Sequence, residues 1–367
     1  MLYNDVTPFS FHVELTDKCN ARCPQCSRNV IEKGTGVLKE RDTLALKEIS
    51  LQHFKDIFSD FKFNIGRINF CGNFGDPFFS RDIYSITEWI GSDLINRNNN
   101  QNTFIHMHLH TNGGMKSAKW WNEYGKLCAK FFPGKHTVTF SIDGLEDTHH
   151  IYRVNTRYKR VVENARAFIA GGGEAEWSFI KFGHNEHQMS EAKKLAVEYG
   201  FASFIPVTTQ RFYGKPEINY KFNKKEFKVT AATDYASEAT QDRLINYVEK
   251  EDDIINDSKS NISCQVQRKQ ELFIDCLGDV HPCCWIGSYI YRDKYIVKDD
   301  KDIQHPIFAM RDNRNAIDES LNDIIYDDFF QYTLPESFKY EPCGICVRQC
   351  SDIESADVKT VKIRELL

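Results

Sequence analysis

Strand-like and helix-like runs alternate along this chain from residue 11 to about residue 207. Period-two or short apolar runs predict strands at 11–15, 67–71, 104–109, 137–142, 175–180 and 202–206. Between them, apolar residues recurring at helical spacing predict helices near 43–59, 82–95, 117–130, 159–170 and 188–199. Such alternation implies parallel βαβ units, either in an open doubly wound sheet or in a partly closed barrel. The strand faces choose between these. Phe11, Val13 and Leu15 share one face and His12 and Glu14 the other; Ile68 and Phe70 oppose Asn69 and Cys71. Ile105, Met107 and Leu109 oppose His106, His108 and His110, and Val138, Phe140 and Ile142 oppose Thr139, Ser141 and Asp143. A parallel sheet covered on both sides reads as continuously apolar. One apolar and one polar face instead predict an α/β partial barrel with helices outside and a wet lumen that can hold a ligand. The fifth and sixth strands show no clean division of faces.

The remainder of the chain has a different character. Residues 208–260 are rich in charge, including Lys221, Lys224, Lys225, Glu249, Lys250, Glu251, Asp252 and Asp253, and are expected to form a connecting helical region. A cysteine-rich segment, 261–367, follows. The expected division is therefore a core at 1–207, a connector at 208–260 and a small C-terminal domain. With 367 residues and 41% hydrophobic content the chain can bury a large core. A net charge of −5 gives no general attraction for nucleic-acid phosphates. No apolar run reaches the roughly 18 residues of a membrane span. The first twenty residues lack the apolar stretch of a secretory signal, so a cytoplasmic location is expected. The chain starts some ten residues before its first strand, which speaks against a fused N-terminal peptide-binding domain.

Twelve cysteines carry the chemistry, and their clustering in a long chain without a signal favours metal or cluster ligation over disulfides. Cys19, Cys23 and Cys26 follow the first strand as Cys-x3-Cys-x2-Cys. Closed zinc sites take four ligands, and iron–sulfur clusters also prefer four thiolates. Three thiolates leave one position open, as a reactive centre requires. The alternative is a zinc site completed from elsewhere in the chain. The segment from Glu14 to Cys26 resembles the cluster loop of the radical S-adenosylmethionine (SAM) superfamily, with Gln25 where that family often has an aromatic residue. The resemblance implies a partial (β/α)6 barrel in which the three thiolates hold a [4Fe–4S] cluster. It also implies that SAM chelates the open iron and is cleaved reductively to a 5′-deoxyadenosyl radical, which abstracts a hydrogen atom from substrate. A flavodoxin- or ferredoxin-type electron donor is implied as well.

By the same resemblance Gly72, Asn73, Gly75, Asp76 and Pro77 form the glycine-rich turn that binds the SAM amino group, with Asp76 where Glu is commoner. Ser141 and Asp143 resemble ribose and carboxylate contacts, and Arg153 the arginine beside the SAM carboxylate. On their own these are an ordinary turn, a helix-capping Asp and a surface arginine. Asn112, in the turn after the third strand, contacts SAM or shapes that turn. Glu14, His108 and His110, on the lumen face, are the candidate catalytic residues. Two of the three histidines are close enough to share a metal; all three are too spread, and structural roles remain the alternative. Cys128, in a helical pattern, reads as a buried thiol.

At the C-terminus Leu272, Phe273 and Ile274 followed by Gly278 predict a hairpin that presents Cys283. Cys264, Cys283, Cys343 and Cys346 are the first-choice ligands of a second, closed site, with Cys350, Cys284 or Cys276 able to replace one of them. Zinc and [4Fe–4S] both suit four thiolates. The spacing resembles the SPASM auxiliary-cluster domain in its short, one-cluster twitch form. The expectation is a two-cluster enzyme that oxidises or modifies a small molecule or a peptide side chain. Its rivals are a SAM core with a C-terminal structural zinc, and a zinc-stabilised binding protein without enzymatic activity.

Overall fold

The structure is a computed structural model that describes residues 3, 7–96, 104–209, 211–212, 216–233, 262–295, 306–308, 314–340, 343, 345–346, 350, 361–362 and 365–366. The polar run expected as a loop at 96–102 lies, after Asn96, outside the described residues, as do Glu249 to Asp253.

Six parallel strands form the barrel wall. They are β1 (Phe9–Val13), β4 (Ile65–Phe70), β5 (His106–Thr111), β6 (His136–Ser141), β7 (Ala175–Lys181) and β8 (Ser203–Thr208), adjacent in that order. Between β1 and β4 lie a small antiparallel hairpin, β2 (Asn29–Ile31) with β3 (Leu38–Glu40), and helix α1 (Leu51–Phe58). The later crossovers carry α2 (Ile83–Trp89), α3 (Ala118–Phe131), α4 (His149–Tyr152) with α5 (Tyr158–Ala170), and α6 (Met189–Tyr199). The apolar strand faces point at these helices. Phe11, Phe70, Met107, Val138, Phe140 and Trp177 are buried in one core with Phe54, Phe58, Ile86, Trp121 and Phe168. Phe11 meets Phe58 edge-on at 5.0 Å and Trp121 lies 5.0 Å from Phe140. This arrangement gives the expected partial barrel, helices outside and polar residues within.

Helix α1 is shorter than the apolar spacing predicts. Ser50 caps its N-terminus by accepting the His53 N–H at 3.1 Å. The preceding residues are held extended, with Ile49 N–H donating to the Leu15 carbonyl at 2.8 Å and Thr16 bridging Glu48. The expected helical connector is also corrected over part of its length. Residues 217–230 form the antiparallel hairpin β9 (Glu217–Phe222) and β10 (Lys225–Thr230). Ile218, Tyr220 and Phe222 alternate there with polar residues, and Asn223 and Lys224 both take the positive φ of a tight hairpin turn.

The C-terminal region closes both open edges of the barrel. After α7 (Gln265–Lys269), β11 (Glu271–Ile274) pairs parallel with β1 and antiparallel with β12 (Val280–His281). This is the expected hairpin, with Gly278 at φ +90° in its turn. Helices α8 (Cys284–Tyr295), α9 (Leu321–Ile325) and α10 (Leu334–Tyr340) follow. Short strands β13 (Val361–Lys362) and β14 (Glu365–Leu366) then pair antiparallel with β8. Unpaired strand edges are costly to leave bare, and both ends of the barrel sheet are covered in this way. No helix among the described residues is long and apolar enough to cross a membrane.

Candidate active site

The loop leaving β1 carries Cys19, Cys23 and Cys26, all free thiols and all half-buried or buried. Backbone bonds turn it tightly: Cys26 N–H donates to the Cys23 carbonyl at 3.1 Å, and the Asn29 side chain to the same carbonyl at 3.0 Å. Arg28, 2% exposed, holds the loop from beneath by donating to the Asp17 carbonyl and to Glu40, which also pairs with Arg22. An apolar cluster of Ala21, Leu38, Tyr152, Phe182, Tyr220 and Val229 surrounds Cys23, so the β2–β3 and β9–β10 hairpins shield the loop from water.

Hydrogen-bond donors point at the sulfurs. Cys19 Sγ receives the Ala21 N–H at 3.4 Å and Asn112 Nδ2 at 3.5 Å; Cys23 Sγ receives Arg153 Nη1 at 3.8 Å. Burial pushes the Cys19 thiol well above its usual range, and the Asp76 carboxylate adds to that. Burial pushes Cys23 up to about 11, with Arg153 acting in the opposite direction. Buried thiols raised in this way ionise only beside a positive charge. Among the described residues the only three His, Cys, Asp or Glu side chains with ligand atoms within 4.8 Å of one another are Asp275, Asp279 and His281.

The glycine-rich turn stands beside this loop. Gly75 has no room for a side chain, because a Cβ there would run into the Thr16 carbonyl. Glu14, 1% exposed, accepts the Phe74 and Gly75 N–H groups on one oxygen, at 2.7 and 2.9 Å. Burial pushes its carboxyl up to about 8. Glu14, expected as a catalytic lumen residue, is here the support of the turn. Asp76, expected to touch cofactor, has its carboxylate engaged within the protein. It accepts Thr111 Oγ1 at 3.0 Å, Asn112 N and Nδ2 at 2.8 Å each, and Phe78 N at 3.0 Å. It thereby fixes Asn112, whose amide reaches Cys19. Pro77 opens the short 3₁₀ turn that follows.

Asp143 is fully buried. One oxygen pairs with the Arg153 guanidinium and the other accepts the Ile180 N–H at 2.6 Å. Its carboxylate anchors Arg153 to the end of β7. Ser141 ends β6, half-buried. The histidines of β5 divide: His106 is exposed, whereas His108 and His110 are half-buried with ring centroids 4.6 Å apart. His108 Nε2 lies 3.1 Å from Thr139 Oγ1, which donates to Glu176 at 3.0 Å; Ser203 Oγ donates to the other Glu176 oxygen at 3.0 Å. Sequence reasoning missed Glu176. The alternation of Ala175, Trp177 and Phe179 around it was the available signal. Cys128 is fully buried in α3, as expected.

The C-terminal thiols gather at the β1 edge. The Cys346 thiol is pushed up by a hydrogen bond with Cys343, by burial, and by the nearby Cys283 and Cys264 sulfurs. Burial pushes Cys283 up to about 12, with Cys350 and Glu271 adding to it. Five cysteines, 264, 283, 343, 346 and 350, thus share one neighbourhood. Cys276 does not belong to it: it is 2% exposed and packs with Leu44, Phe74 and Tyr291. Cys284 feels Cys283 on one side and Cys71 on the other.

No curated protein matches this sequence. Among solved structures, Streptococcus suis SuiB is 15% identical with a TM-score of 0.50, over 88% of this chain and 67% of that one. SuiB bound to S-adenosylmethionine gives 15% and 0.49 over the same shares. Histidine-tagged anSMEcpe with bound AdoMet is 16% identical, with a TM-score of 0.48, over 90% of this chain and 81% of that one. The likeness to SuiB is one of fold. The sequence model of the Radical SAM superfamily matches residues 13–196, half of the chain, and these include the three thiols, the glycine-rich turn and most of the barrel. The chain belongs to the radical SAM superfamily, whose members bind a [4Fe–4S] cluster and S-adenosylmethionine.

Proposed function

We propose that this chain is a two-cluster radical SAM enzyme that oxidises or otherwise modifies a small molecule or a peptide side chain. Cys19, Cys23 and Cys26 hold the SAM-binding cluster. The C-terminal group, Cys264, Cys283, Cys343 and Cys346 with Cys350 as the alternative ligand, holds one auxiliary [4Fe–4S] cluster of the twitch kind. The observation that carries this reading is the gathering of those thiols from separate segments beside β11, the strand that extends the sheet from β1. When bound, cluster and SAM supply a 5′-deoxyadenosyl radical that removes a hydrogen atom from substrate.

The chain's own residues set the stage for that step. Asn112 and Arg153 direct N–H groups at the ligating sulfurs, and such bonds tune a cluster's potential. Gly72, Asn73 and Gly75, in a turn whose two glycines have no room for a side chain, take the SAM amino group. Arg153 and Ser141 face the SAM carboxylate and ribose. His108, held by Thr139 and Glu176, and His110 offer hydrogen bonds and a proton site in the lumen, suited to a polar substrate. A flavodoxin- or ferredoxin-type protein delivers the electron.

The test is an iron and sulfide count on anaerobically purified protein. The Cys19→Ala/Cys23→Ala/Cys26→Ala variant is expected to keep roughly four iron atoms per chain. Zinc in their place refutes the auxiliary cluster. Intact protein given SAM and dithionite is expected to release 5′-deoxyadenosine; none from fully loaded protein refutes the enzymatic reading.

A further inference from the structure

Helix α8 begins immediately after Cys283 and runs from the C-terminal thiols to the cluster loop and SAM turn. At its first residue the Cys284 carbonyl accepts Asn73 Nδ2 at 2.8 Å. Seven residues on, two helical turns and about 10 Å further along the same face, stands Tyr291, 2% exposed. Its hydroxyl donates to Asp17 Oδ2 and accepts the Ala45 N–H at 2.9 Å. Its ring stacks on Phe74 with centroids 4.4 Å apart and planes 28° apart. Asp17 lies two residues before Cys19 and also receives the Leu46 N–H at 2.8 Å. Phe74 lies within the turn whose N–H groups Glu14 accepts.

Helix α8 is itself firmly seated. A Cβ on Gly287 would lie 2.6 Å from the Phe273 ring and 2.9 Å from the His281 ring, so helix and hairpin β11–β12 are in closest contact. The helix cannot shift without disturbing that hairpin, and its N-terminus cannot move without moving Cys283. Displacement of Cys283 is therefore passed to Asn73 at once, and through the rigid helix to Phe74 and Asp17.

We infer that Tyr291 is a positioning residue for SAM, and that through α8 the filling of the C-terminal thiol site by its metal group governs how well the SAM turn is formed. This rests on the proposed role of Cys283 as a ligand. The turn takes contacts from β1, from the Asp76–Asn112 network, from Arg28, from Cys276 in the β11–β12 turn and from α8. Cys276 and α8 both belong to the C-terminal region, and α8 is the one that begins immediately after Cys283. An enzyme wired in this way binds SAM tightly only once its second site is loaded, which avoids futile SAM cleavage by half-assembled protein.

The experiment measures SAM dissociation constants by anaerobic equilibrium dialysis with radiolabelled SAM, together with iron content and the SAM-induced change in the EPR spectrum of the reduced SAM-binding cluster. Tyr291→Phe keeps the ring and removes only the hydroxyl. It is expected to raise the SAM Kd about tenfold, which is ~1.4 kcal/mol, and to weaken the EPR change, while iron content stays at that of the unaltered protein. Asn73→Ala, which cuts the other end of the link, should act in the same direction. Cys343→Ala/Cys346→Ala is expected to lose roughly four irons and to show a similar rise in Kd. Adding Tyr291→Phe to that variant should then change little, because the link is already cut. A Tyr291→Phe protein with full iron and unaltered SAM affinity overturns the positioning role. Losses that multiply to about a hundredfold in the combined variant overturn the coupling. Full iron in Cys343→Ala/Cys346→Ala refutes instead the ligand assignment, and with it the connection to the second site, while the Tyr291→Phe measurement still decides the positioning role.

Discussion

Replacing Glu14 by Gln is expected to change the pH dependence of stability in a direction opposite to that of most carboxylates. Glu14 is 1% exposed, lies near Asp17 and Asp275, and accepts two backbone N–H groups on one oxygen. The N–H donors favour the ionised form; burial, the largest effect, and the two neighbouring carboxylates favour the acid. The balance takes the carboxyl from 4.5 up to about 8. An unfolded Glu loses its proton near the lower value and the folded one near the higher. Between them the folded state binds more protons, so its stability falls as pH rises. The slope is ~1.4 kcal/mol per pH unit and the total about 5 kcal/mol as an upper figure. Below the unfolded value the contribution is fully present, and above about 8 it is gone. Gln carries no charge at any pH and keeps a carbonyl oxygen for the Phe74 and Gly75 N–H groups. The assay is anaerobic thermal unfolding of both proteins at pH 5, 6, 7 and 8. At about 1.3 °C per kcal/mol for a chain of this size, the melting temperature of Glu14→Gln relative to the unaltered protein should rise by roughly 2 °C for each pH unit. A difference that stays constant across this range would show that Glu14 is ionised when folded and would refute the reasoning. Glu14→Ala serves as the contrast. It leaves both N–H groups without a partner, costs about 1–3 kcal/mol for each, and should weaken SAM binding at every pH.

Much of the barrel is legible because its two faces differ. Phe11 and Val13 against His12, or Met107 and Leu109 against His108, place apolar side chains on the helices and polar ones in the lumen, and the structure keeps that division. The fifth strand was harder to read. Ala175, Trp177 and Phe179 hold one face, but Ile180 interrupts the polar one and conceals Glu176. The hairpin at 217–230 was hidden by its lysines, which sit on an exposed face, while Tyr220 and Val229, buried beside Cys23, carry the signal. The three-cysteine loop was evident from spacing alone. The roles of the carboxylates around it were not. Asp76, Asp143 and Glu14 are ordinary carboxylates in the sequence, and only the fold shows that they bond to Asn112, Arg153 and the turn's own N–H groups. Tyr291 could not be found from sequence at all, because its partner Asp17 is 274 positions away and nothing local marks the pair.

The remaining expectations concern the turn, the lumen and the cluster sulfurs. Gly75→Ala should abolish SAM binding in equilibrium dialysis, since its Cβ collides with the Thr16 backbone and no flexible side chain can give way; unchanged binding would mean that the turn sits elsewhere. Glu176→Gln should leave 5′-deoxyadenosine release close to normal but change the rate at which diethylpyrocarbonate modifies His108, because the acceptor behind Thr139 loses its charge; an identical rate would sever the proposed link. Arg153→Met removes the charge paired with fully buried Asp143 and the donor 3.8 Å from Cys23 Sγ. Leaving a buried carboxylate alone costs about 3–5 kcal/mol, so the melting temperature should drop by several degrees. Asp143→Asn in the same chain removes the stranded charge and should recover most of that stability. It cannot restore the N–H donor to sulfur, so the EPR signal of the SAM-binding cluster should stay altered in the double variant. Recovery of both properties together would mean that Arg153 acts on the cluster only through Asp143, and failure to recover stability would mean that the buried pair is not what holds this corner of the barrel.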